Sequence, residues 1–280
     1  MIWGYALPWF EAFLDGDDDP LMAKLRFLVR HGLRATHISL REVGEMREER
    51  RASLGEFLES NDLHLVPTVW FNYLDADGDA VHRNTERAIS SLREYVGLLR
   101  APIVTTGVGR YHRFLRDPSL AEQMDRLPAA LAPLAKACYE MGCPLGIENH
   151  GDYYCSDLVT LCQRTPHLRI FLDTGNTYLI GEQSLLAIRA AAPYTIGTHF
   201  KDHHVWPEKE TYPLRFEIGG AVLGEGDVGL AEAHAILAEH APQPDRLVML
   251  MEMIPPRPMD PMECFQKSLA FVRSLEEVGQ

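Results

Sequence analysis

The amino-acid sequence predicts one α/β domain over residues 1–280, folded as a single (β/α)8 TIM barrel. Short apolar runs typical of buried strands alternate with segments of helical period along the chain. Eight strand–helix units of about 30 to 35 residues follow one another with no linker between blocks. Alternating units imply a parallel sheet, and eight units of this size indicate that the sheet closes on itself. A doubly wound open sheet is the alternative.

The predicted strands are apolar runs bounded by turn residues. They cover residues 2–7, 35–40, 63–70, 102–106, 144–150, 168–176, 194–202 and 247–254. The predicted helices cover residues 20–31, 44–61, 81–100, 120–141, 157–164, 183–192, 228–240 and 261–278. We expect the first helix to begin with Asp19 as its cap and Pro20 in its first turn, and to end at Gly32.

The sequence also makes predictions for the fourth helix and for the chain that leads into the seventh helix. Pro128 and Pro133 should interrupt the fourth helix, because proline removes a backbone donor and clashes with the preceding turn. Asp227 is the expected cap of the seventh helix. The connection before it, residues 203–227, is unusually long and rich in aromatic and charged residues, which is typical of a lid or a partner-facing loop.

The composition is that of an acidic globular protein. The formal net charge is −13, with 46% hydrophobic and 24% charged residues. A surface for nucleic acid or an anionic membrane needs a basic stripe, so neither partner is expected. No apolar run reaches the ~18 residues of a membrane span. The first residues lack the basic start of a signal peptide, which favours a cytoplasmic location.

The cysteines are expected to be reduced. They are five in number, without a CxxC pair, at Cys138, Cys143, Cys155, Cys162 and Cys264. An odd set of this kind is typical of a cytosolic protein, and Cys138 and Cys143 are better explained as core residues than as zinc ligands. The densest acidic run, residues 15–19, is expected to lie in a loop.

Four predicted strands end in side chains that bind metal ions. Glu148, Asp173, His199 and Glu252 lie at the ends of the fifth to eighth strands. A carboxylate or imidazole at the end of a buried strand is costly unless something pairs it. Because the carboxyl ends of barrel strands meet at one face, we expect these side chains to converge on one divalent cation. Each residue alone could be a core residue, a helix cap or part of a turn, but four on successive strands favour a metal site.

Three carboxylates and one imidazole form a hard donor set of mostly oxygen atoms with net negative charge. This set favours Mn²⁺, Mg²⁺ or Co²⁺ as the cofactor, and Zn²⁺ stays an alternative. It leaves coordination positions open for two substrate oxygens or for water.

These strand ends resemble those of the xylose-isomerase-like TIM barrel family of sugar isomerases and epimerases. The matching motifs are Gly-Ile-Glu148-Asn-His, Leu-Asp173-Thr-Gly-Asn, Thr-His199-Phe-Lys-Asp and the eighth-strand glutamate Glu252. The Leu-Gly-Glu-Gly-Asp turn at residues 223–227 is similar as well. The likeness covers the chain from about residue 142 onward, whereas the first half shares only the alternation of strands and helices. The family also contains endonuclease IV, hydroxypyruvate isomerase, inosose dehydratases and ketose 3-epimerases.

What the resemblance implies is proton-transfer chemistry on a small sugar or polyol. A divalent metal holding two substrate oxygens would acidify the adjacent C–H bond and stabilise an enediolate. Glu148 and Glu252 would act as an acid/base pair on opposite faces for epimerisation, whereas transfer on one face to the neighbouring carbon would give isomerisation. Loss of a β-hydroxyl would make the protein a lyase instead, acting on an inosose, a 3-dehydroshikimate-like keto acid or a 3-keto-glycoside.

Two other classes of function are weaker alternatives. A nuclease like endonuclease IV would need further histidines on the third and fourth strands, whereas the third strand offers Trp70 and Phe71. The net charge of −13 is also wrong for binding DNA. A non-catalytic binding barrel predicts that at least one ligand is lost, yet all four are intact. The sequence leaves open whether the chain forms a homo-oligomer.

Six residues near strand ends are candidate substrate contacts. They are Trp70, Arg110, His112, His150, Asn176 and Lys201. Asn176 could orient a substrate hydroxyl but could not shuttle a proton. Lys201 could contact substrate with Asp202 as its buried partner, or the two could form a surface ion pair.

The remaining four candidates are also open to two explanations. Trp70 could form an apolar wall with Trp3 and Phe71, or these aromatic rings could belong to the core. Arg110 and His112 follow the fourth strand and could bind a carboxylate or a sugar hydroxyl. His150 could reach the substrate or stabilise its own loop. A keto acid would require an arginine clamp near Arg110, whereas a neutral sugar would not.

Overall fold

A computed structural model describes residues 1–6, 19–75, 77–212 and 215–278. The predicted end of the first strand at residue 7 and the acidic residues 15–18 lie outside the described part of the chain.

Eight parallel strands close into a barrel, which confirms the predicted fold class and excludes the open sheet. The strands in chain order are β1 (Ile2–Tyr5), β2 (Ala35–Ser39), β3 (His64–Val69), β4 (Val104–Thr106), β5 (Leu145–Glu148), β6 (Arg169–Asp173), β7 (Thr195–Phe200), β8 (His203–Pro207), β9 (Phe216–Gly220) and β10 (Val248–Met251). The order around the barrel is β1, β10, β7, β6, β5, β4, β3, β2, and β8 pairs with β9 outside it.

Helices follow the barrel strands and cover the outside of the sheet. They are α1 (Pro20–Arg30), α2 (Leu40–Glu45), α3 (Glu48–Ser60), α4 (Gly78–Tyr95), α5 (Leu120–Glu140), α6 (Cys155–Arg164), α7 (Thr174–Leu179), α8 (Ser184–Ala191), α9 (Leu230–His240) and α10 (Pro261–Val278). Among the described residues, no helix combines the length and apolar character that crossing a membrane requires.

The apolar core has two parts. The larger part lies between the strands and the helices. The smaller part fills the barrel interior and consists of Ala35, Val66, Ile103, Phe171, Val248 and Leu250. Gly197 on β7 leaves room for this filling, because a Cβ there would come within 2.9 Å of the Phe171 ring. These six side chains fill the interior of the barrel, so a layer of apolar residues lies beneath its carboxyl-terminal face.

The first helix has the ends that the sequence predicts. The carboxylate of Asp19 accepts hydrogen bonds from the backbone amides of Leu21 and Met22, and Pro20 lies in the first turn. Gly32 follows the helix with a φ of +66°, a left-handed conformation that glycine adopts without strain.

The second predicted helix, residues 44–61, is wrong as a single element. The structure has α2 and α3 instead, separated at Met46, whose backbone is extended. The side chain of Met46 is buried, and inserting it into the core turns the chain at this point. Leu54 and Leu58 on α3 are buried as expected, with Phe57 partly buried beside them.

The predicted interruption of the fourth helix is also wrong. α5 continues through Pro128 and Pro133 for 21 residues. It begins with a capping box between Ser119 and Glu122 and buries a stripe that includes Leu127, Leu131, Leu134 and Cys138. Burial of this stripe outweighs the local preference of the two prolines.

The long connection 203–227 contains the antiparallel hairpin of β8 and β9 rather than a loop without regular structure. Asp227 does not cap α9, because that helix begins at Leu230 after Gly229. Its carboxylate instead accepts from the backbone amide of Val205 and pairs with His204, both at 2.8 Å. The side chain that was expected to start a helix therefore holds the hairpin.

The five cysteines are all buried and free, as the sequence predicts. Burial raises the pKa of the Cys143 thiol to about 12, so this group stays protonated at neutral pH.

Candidate metal centre

The four predicted metal ligands lie on four consecutive strands at the carboxyl-terminal face of the barrel. Glu148 ends β5, Asp173 ends β6, His199 is the penultimate residue of β7, and Glu252 directly follows β10. These strands are neighbours in the closed sheet. The register places His199 beside Asp173 on one side and beside Leu250 on the other. The parallel register therefore brings the four side chains into one arc.

The imidazole of His199 lies at the centre of this arc. Its Nδ1 is 2.9 Å from Oε1 of Glu148, 3.0 Å from Oε2 of Glu252 and 3.7 Å from Oδ2 of Asp173. One ligand atom from each of Glu148, Asp173 and His199 lies within 4.8 Å of the others. Atoms that share a cation at about 2.0–2.4 Å are about 3–4.5 Å apart. Glu148, Asp173 and His199 therefore fit one divalent cation with small movements of the side chains. Glu252 lies outside this set of three but contacts the same Nδ1 of His199.

Burial and opposite charges determine the protonation of the arc. Burial lowers the pKa of His199, but Glu148, Asp173 and Glu252 outweigh it and raise this pKa to about 10. Burial raises the pKa of Asp173, but Lys201 and His199 outweigh it and hold this pKa at about 2. Burial also raises the pKa of Glu148, and the charge of His199 brings it below its ordinary value. Without a metal, an imidazolium thus balances the carboxylates where a cation would otherwise bind.

Lys201 is a second cation at the same carboxylates. Its ammonium donates to Oδ2 of Asp173 at 2.7 Å and lies 2.9 Å from Oε1 of Glu252. Burial lowers the pKa of Lys201, but Asp173 and Glu252 outweigh it and raise this pKa above its ordinary value. With Lys201 charged and His199 neutral, three carboxylates and one divalent cation form a site without net charge.

Asp202 is not the partner of Lys201, which corrects both explanations offered for this pair. Its carboxylate is buried and accepts hydrogen bonds from backbone amides of the chain after β9. The donors are Gly224, Gly226 and Val228, at 2.9 to 3.2 Å. Asp202 therefore fixes the turn at residues 223–227, and Lys201 belongs to the candidate metal centre.

Two asparagines hold the strand ends around Asp173. The amide of Asn149 donates to the carbonyl of Asp173 at 2.9 Å and accepts from its backbone amide at 2.7 Å. Asn176 donates to the carbonyl of Asn149 at 3.0 Å, and its Oδ1 lies 3.4 Å from Nζ of Lys201. Asn176 is buried. Its side chain is thus engaged within the protein, next to the predicted ligands.

Two predicted substrate contacts lie together at the mouth of the barrel. The side chain of Trp70 is 48% exposed, and its ring meets that of His150 edge to face at 5.6 Å. Phe71 packs on Tyr73. Trp3 is buried in the outer core against Phe200 and takes no part in a wall with Trp70.

Arg110 and His112 occupy the loop after β4. The backbone amide of Arg110 donates to Asn72, and its guanidinium lies over the ring of Tyr111 at 5.6 Å. The ring of His112 faces Phe114 at 6.1 Å. Within the described part of the chain, the structure shows no direct contact between either side chain and the four predicted ligands.

His37, on β2, was not predicted as a site residue from the sequence. Its Nε2 lies 2.8 Å from Nε2 of His199, so it reaches the candidate metal centre from across the barrel. The ring of Phe171 lies below both imidazoles, at 5.4 Å from His37 and 4.8 Å from His199. The available signal was a second histidine within a barrel strand, but a sequence shows no distances across a barrel.

A cavity of about 870 Å³ opens beside His37. Its lining includes Thr68, Trp70 and Phe71 from β3 and the chain after it, and Asn84 and Arg87 from α4. A second cavity, of about 580 Å³, lies under the β8–β9 hairpin. The first cavity extends from His37 to the aromatic side chains of Trp70 and Phe71.

The fold and this centre define the class of protein: a closed (β/α)8 barrel of xylose isomerase-like type, with an acidic cluster at its carboxyl-terminal face. The family model for the Xylose isomerase-like TIM barrel matches residues 25–276. The chain belongs to this family. A search of curated proteins found no significant match.

Solved structures share the complete fold at low sequence identity. A D-psicose 3-epimerase with D-tagatose, from Clostridium cellulolyticum H10, is 13% identical with a TM-score of 0.73, and the match covers 99% of both chains. A probable 3-DHS dehydratase from Bacillus anthracis is 12% identical with a TM-score of 0.67, over 96% of this chain and 98% of that one. A xylose isomerase-like TIM barrel protein from Mycobacterium smegmatis, in complex with magnesium, is 14% identical with a TM-score of 0.66, over 93% and 89%. These likenesses establish the fold.

Proposed function

We propose that this protein is a divalent-metal-dependent isomerase or epimerase of a small sugar or polyol, which works by moving a proton between carbon and a carboxylate. The observation that carries the proposal is the convergence of Glu148, Asp173 and Glu252 on Nδ1 of His199. Neighbours in the fold include a sugar epimerase and a magnesium complex, which supports a sugar substrate and a bound metal.

Glu148, Asp173, His199 and Glu252 would hold the metal. Their donor set favours Mn²⁺, Mg²⁺ or Co²⁺, with Zn²⁺ as an alternative. When bound, such an ion acts as a Lewis acid toward substrate oxygens and acidifies the neighbouring C–H bond. Lys201 would stay charged beside Asp173 and Glu252, so that the loaded centre has no net charge.

Glu148 and Glu252 are the proposed acid/base pair. They come from β5 and β10, which β6 and β7 separate in the barrel, so their carboxylates approach the centre from opposite sides. Glu252 is held by the ammonium of Lys201, whereas Glu148 is paired only with His199 in the described contacts. Removal of a proton at one face and its return at the other would invert a carbon centre, which is epimerisation.

The other proposed contacts would position the substrate. Trp70 and His150 offer a ring surface at the mouth, and Asn176 and Lys201 offer polar groups beside the carboxylates. Arg110 and His112 lie in the loop after β4 without a contact to the four ligands, which supports a neutral sugar over a keto acid.

A metal-dependent lyase is the second candidate, because a probable 3-DHS dehydratase shares the fold. The same base would remove a proton next to a carbonyl, and a β-hydroxyl would leave as water. The two candidates share residues and differ in whether the product loses mass.

The test is deuterium uptake measured by mass spectrometry. The protein would be incubated in deuterated water with ketoses, inososes and keto acids, first with Mn²⁺ and then with a chelator. We expect one substrate to take up one deuteron only when metal is present, because proton exchange follows C–H removal. Glu148→Gln and Glu252→Gln should abolish uptake, whereas Glu263→Gln, on the exposed part of α10, should leave it unchanged.

Two results would change or contradict the proposed function. Loss of the mass of water from an inosose or keto acid would identify the lyase. Absence of both exchange and Mn²⁺ binding in the unmodified protein would contradict a metal-dependent enzyme.

A further inference from the structure

Two imidazoles meet inside the barrel with a contact that needs one donor and one acceptor. Nε2 of His37 and Nε2 of His199 are 2.8 Å apart, and a single proton lies between two nitrogens at this distance. β2 and β7 are not neighbours in the sheet, so the contact crosses the barrel interior. Both rings rest edge-on against Phe171. An apolar floor below the pair keeps water from replacing the contact from that side.

The surroundings of each ring decide which nitrogen donates. The other nitrogen of His37, Nδ1, faces β3, where the hydroxyl of Thr68 lies at 3.4 Å. The Thr68 hydroxyl can accept from Nδ1, and a neutral His37 that carries its single proton there has a lone pair at Nε2. That leaves Nε2 of His37 as an acceptor, and His199 is the donor.

Because Nε2 of His199 is the donor, Nδ1 is the nitrogen of this ring that can bind a metal. Nδ1 faces the oxygens of Glu148 and Glu252 at 2.9 and 3.0 Å. A metal-bound histidine keeps its single proton on the nitrogen that does not bind the metal. With a metal bound, Nδ1 would give its lone pair to the cation held by these carboxylates, while Nε2 would keep the proton that it shares with His37.

We propose that His37 is a positioning residue of the metal centre, which accepts from Nε2 of His199 and so fixes Nδ1 as the metal-binding nitrogen. The proposal rests on the metal centre proposed above. Thr68 continues the chain from His37 to Thr105 on β4, whose hydroxyl is 3.2 Å away. Four strands thereby contribute to the orientation of one ligand ring.

His37→Leu and His37→Gln form the test pair. The two replacements are similar in size, but only the glutamine carries an oxygen that can accept from His199. Outer-shell partners of this kind change metal affinity by about 10- to 100-fold. Titration calorimetry with Mn²⁺ alone should therefore show a loss of that size for His37→Leu and most of the affinity restored in His37→Gln. His64→Leu, which removes a β3 histidine bonded to the carbonyl of Arg100, should bind Mn²⁺ like the unmodified protein.

A second readout does not depend on metal. In metal-free protein labelled with ¹⁵N-histidine, the Nε2–H proton of His199 should give a protected, downfield resonance. We expect that resonance to be lost in His37→Leu and kept in His37→Gln. A purely packing role would instead lower the thermal midpoint of both variants and leave the Nε2–H resonance of His199 unchanged.

The inference fails if His37→Leu keeps both the Mn²⁺ affinity and the His199 resonance. It also fails if His37→Gln, folded and equally stable, binds Mn²⁺ as weakly as His37→Leu. A protein that binds no Mn²⁺ in any form would overturn the proposed function instead, and the resonance would still decide whether His37 accepts from His199.

Discussion

At the scale of single residues, the candidate centre is a balance of charges in a place that water scarcely reaches. Asp173 is fully buried and Lys201 nearly so, and their ion pair is 2.7 Å long. A buried pair of this kind adds little over an apolar pair, but removing one partner leaves a buried charge without compensation. Lys201 is therefore needed most when no metal is bound.

Replacement of Lys201 by Met should destabilise the metal-free protein by about 3 kcal/mol, because Asp173 would stay ionised and buried with less positive charge beside it. Urea unfolding in the presence of a chelator measures this change. Lys267→Met is the matched control, since Lys267 pairs with Glu263 on the exposed face of α10 and its replacement should leave the unfolding free energy nearly unchanged. Equal stability of the two variants would show that Lys201 is not the compensating charge.

A second residue makes stability depend on pH. Asp152 is buried in the loop after β5, and burial raises the pKa of its carboxyl to about 6, despite hydrogen bonds from the backbone amides of Tyr153 and His150. A raised pKa means that the folded state holds the proton more tightly. The favourable contribution is complete below the ordinary pKa of 3.8 and is lost as the pH rises through about 6.

Asp152→Asn removes this titration and keeps an oxygen that can accept the same two backbone bonds. Relative to the unmodified protein, the variant should therefore gain roughly 2 to 3 kcal/mol in unfolding free energy between pH 4 and pH 7.5. Urea unfolding of both proteins at the two pH values measures the gain. A difference that stays constant with pH would mean that Asp152 ionises as it does in water.

The strand-end residues were predictable from sequence, and their cross-barrel partners were not. Glu148, Asp173 and Glu252 follow apolar runs, and a parallel barrel brings all such ends to one face. The partner of Lys201 was expected next to it in sequence, at Asp202. Directly after β7, however, the two side chains enter different surroundings: Lys201 contacts Asp173, and Asp202 accepts from the amide of Gly224. His37 could not be found in this way, because its contact depends on which strands face each other across the interior.

At the scale of elements, tertiary burial decides where local preferences disagree. α5 keeps helical geometry through two prolines because its buried stripe packs against the barrel. α2 and α3 separate at Met46, although the charge and apolar pattern favoured one helix. Local patterns predicted most of the helices but not α7, which begins within the strand predicted over residues 168–176. Burial of single side chains determined where helices break.

Pro133→Ala should raise the free energy of unfolding by about 1 to 3 kcal/mol. Pro133 is exposed and lies inside α5, so alanine restores a backbone hydrogen bond without loss of packing. Pro20→Ala is the control, because proline in the first turn of α1 removes no helical bond and its replacement should bring no gain. Thermal unfolding of the two variants compares them. A gain at Pro20 that equals the one at Pro133 would contradict this explanation.

At the scale of the whole molecule, the candidate centre depends on closure of the barrel. The four proposed ligands lie on β5, β6, β7 and β10, whereas His37 lies on β2, at the other side of the ring of strands. The join between β1 and β2 brings these two sides together, and its register has a single pair, Gly4 with Ala35. The alternation of strands and helices predicted that the sheet closes. It did not predict that β1 and β2 are joined through a single residue pair.

Gly4→Ala should weaken the closure, because a Cβ at this position would overlap the carbonyl oxygen of Ala35, a backbone atom that cannot move aside. We expect a loss of about 3 kcal/mol in unfolding free energy. Gly44→Ala is the control, since a Cβ there would meet no atom of another described segment within 4 Å and alanine favours the helix. If closure places His37 against His199, Gly4→Ala should also weaken the His199 Nε2–H resonance in protein that is still folded, and Gly44→Ala should not. A destabilised Gly4→Ala protein with an unchanged resonance would show that the two sides of the barrel hold the histidine pair without this join.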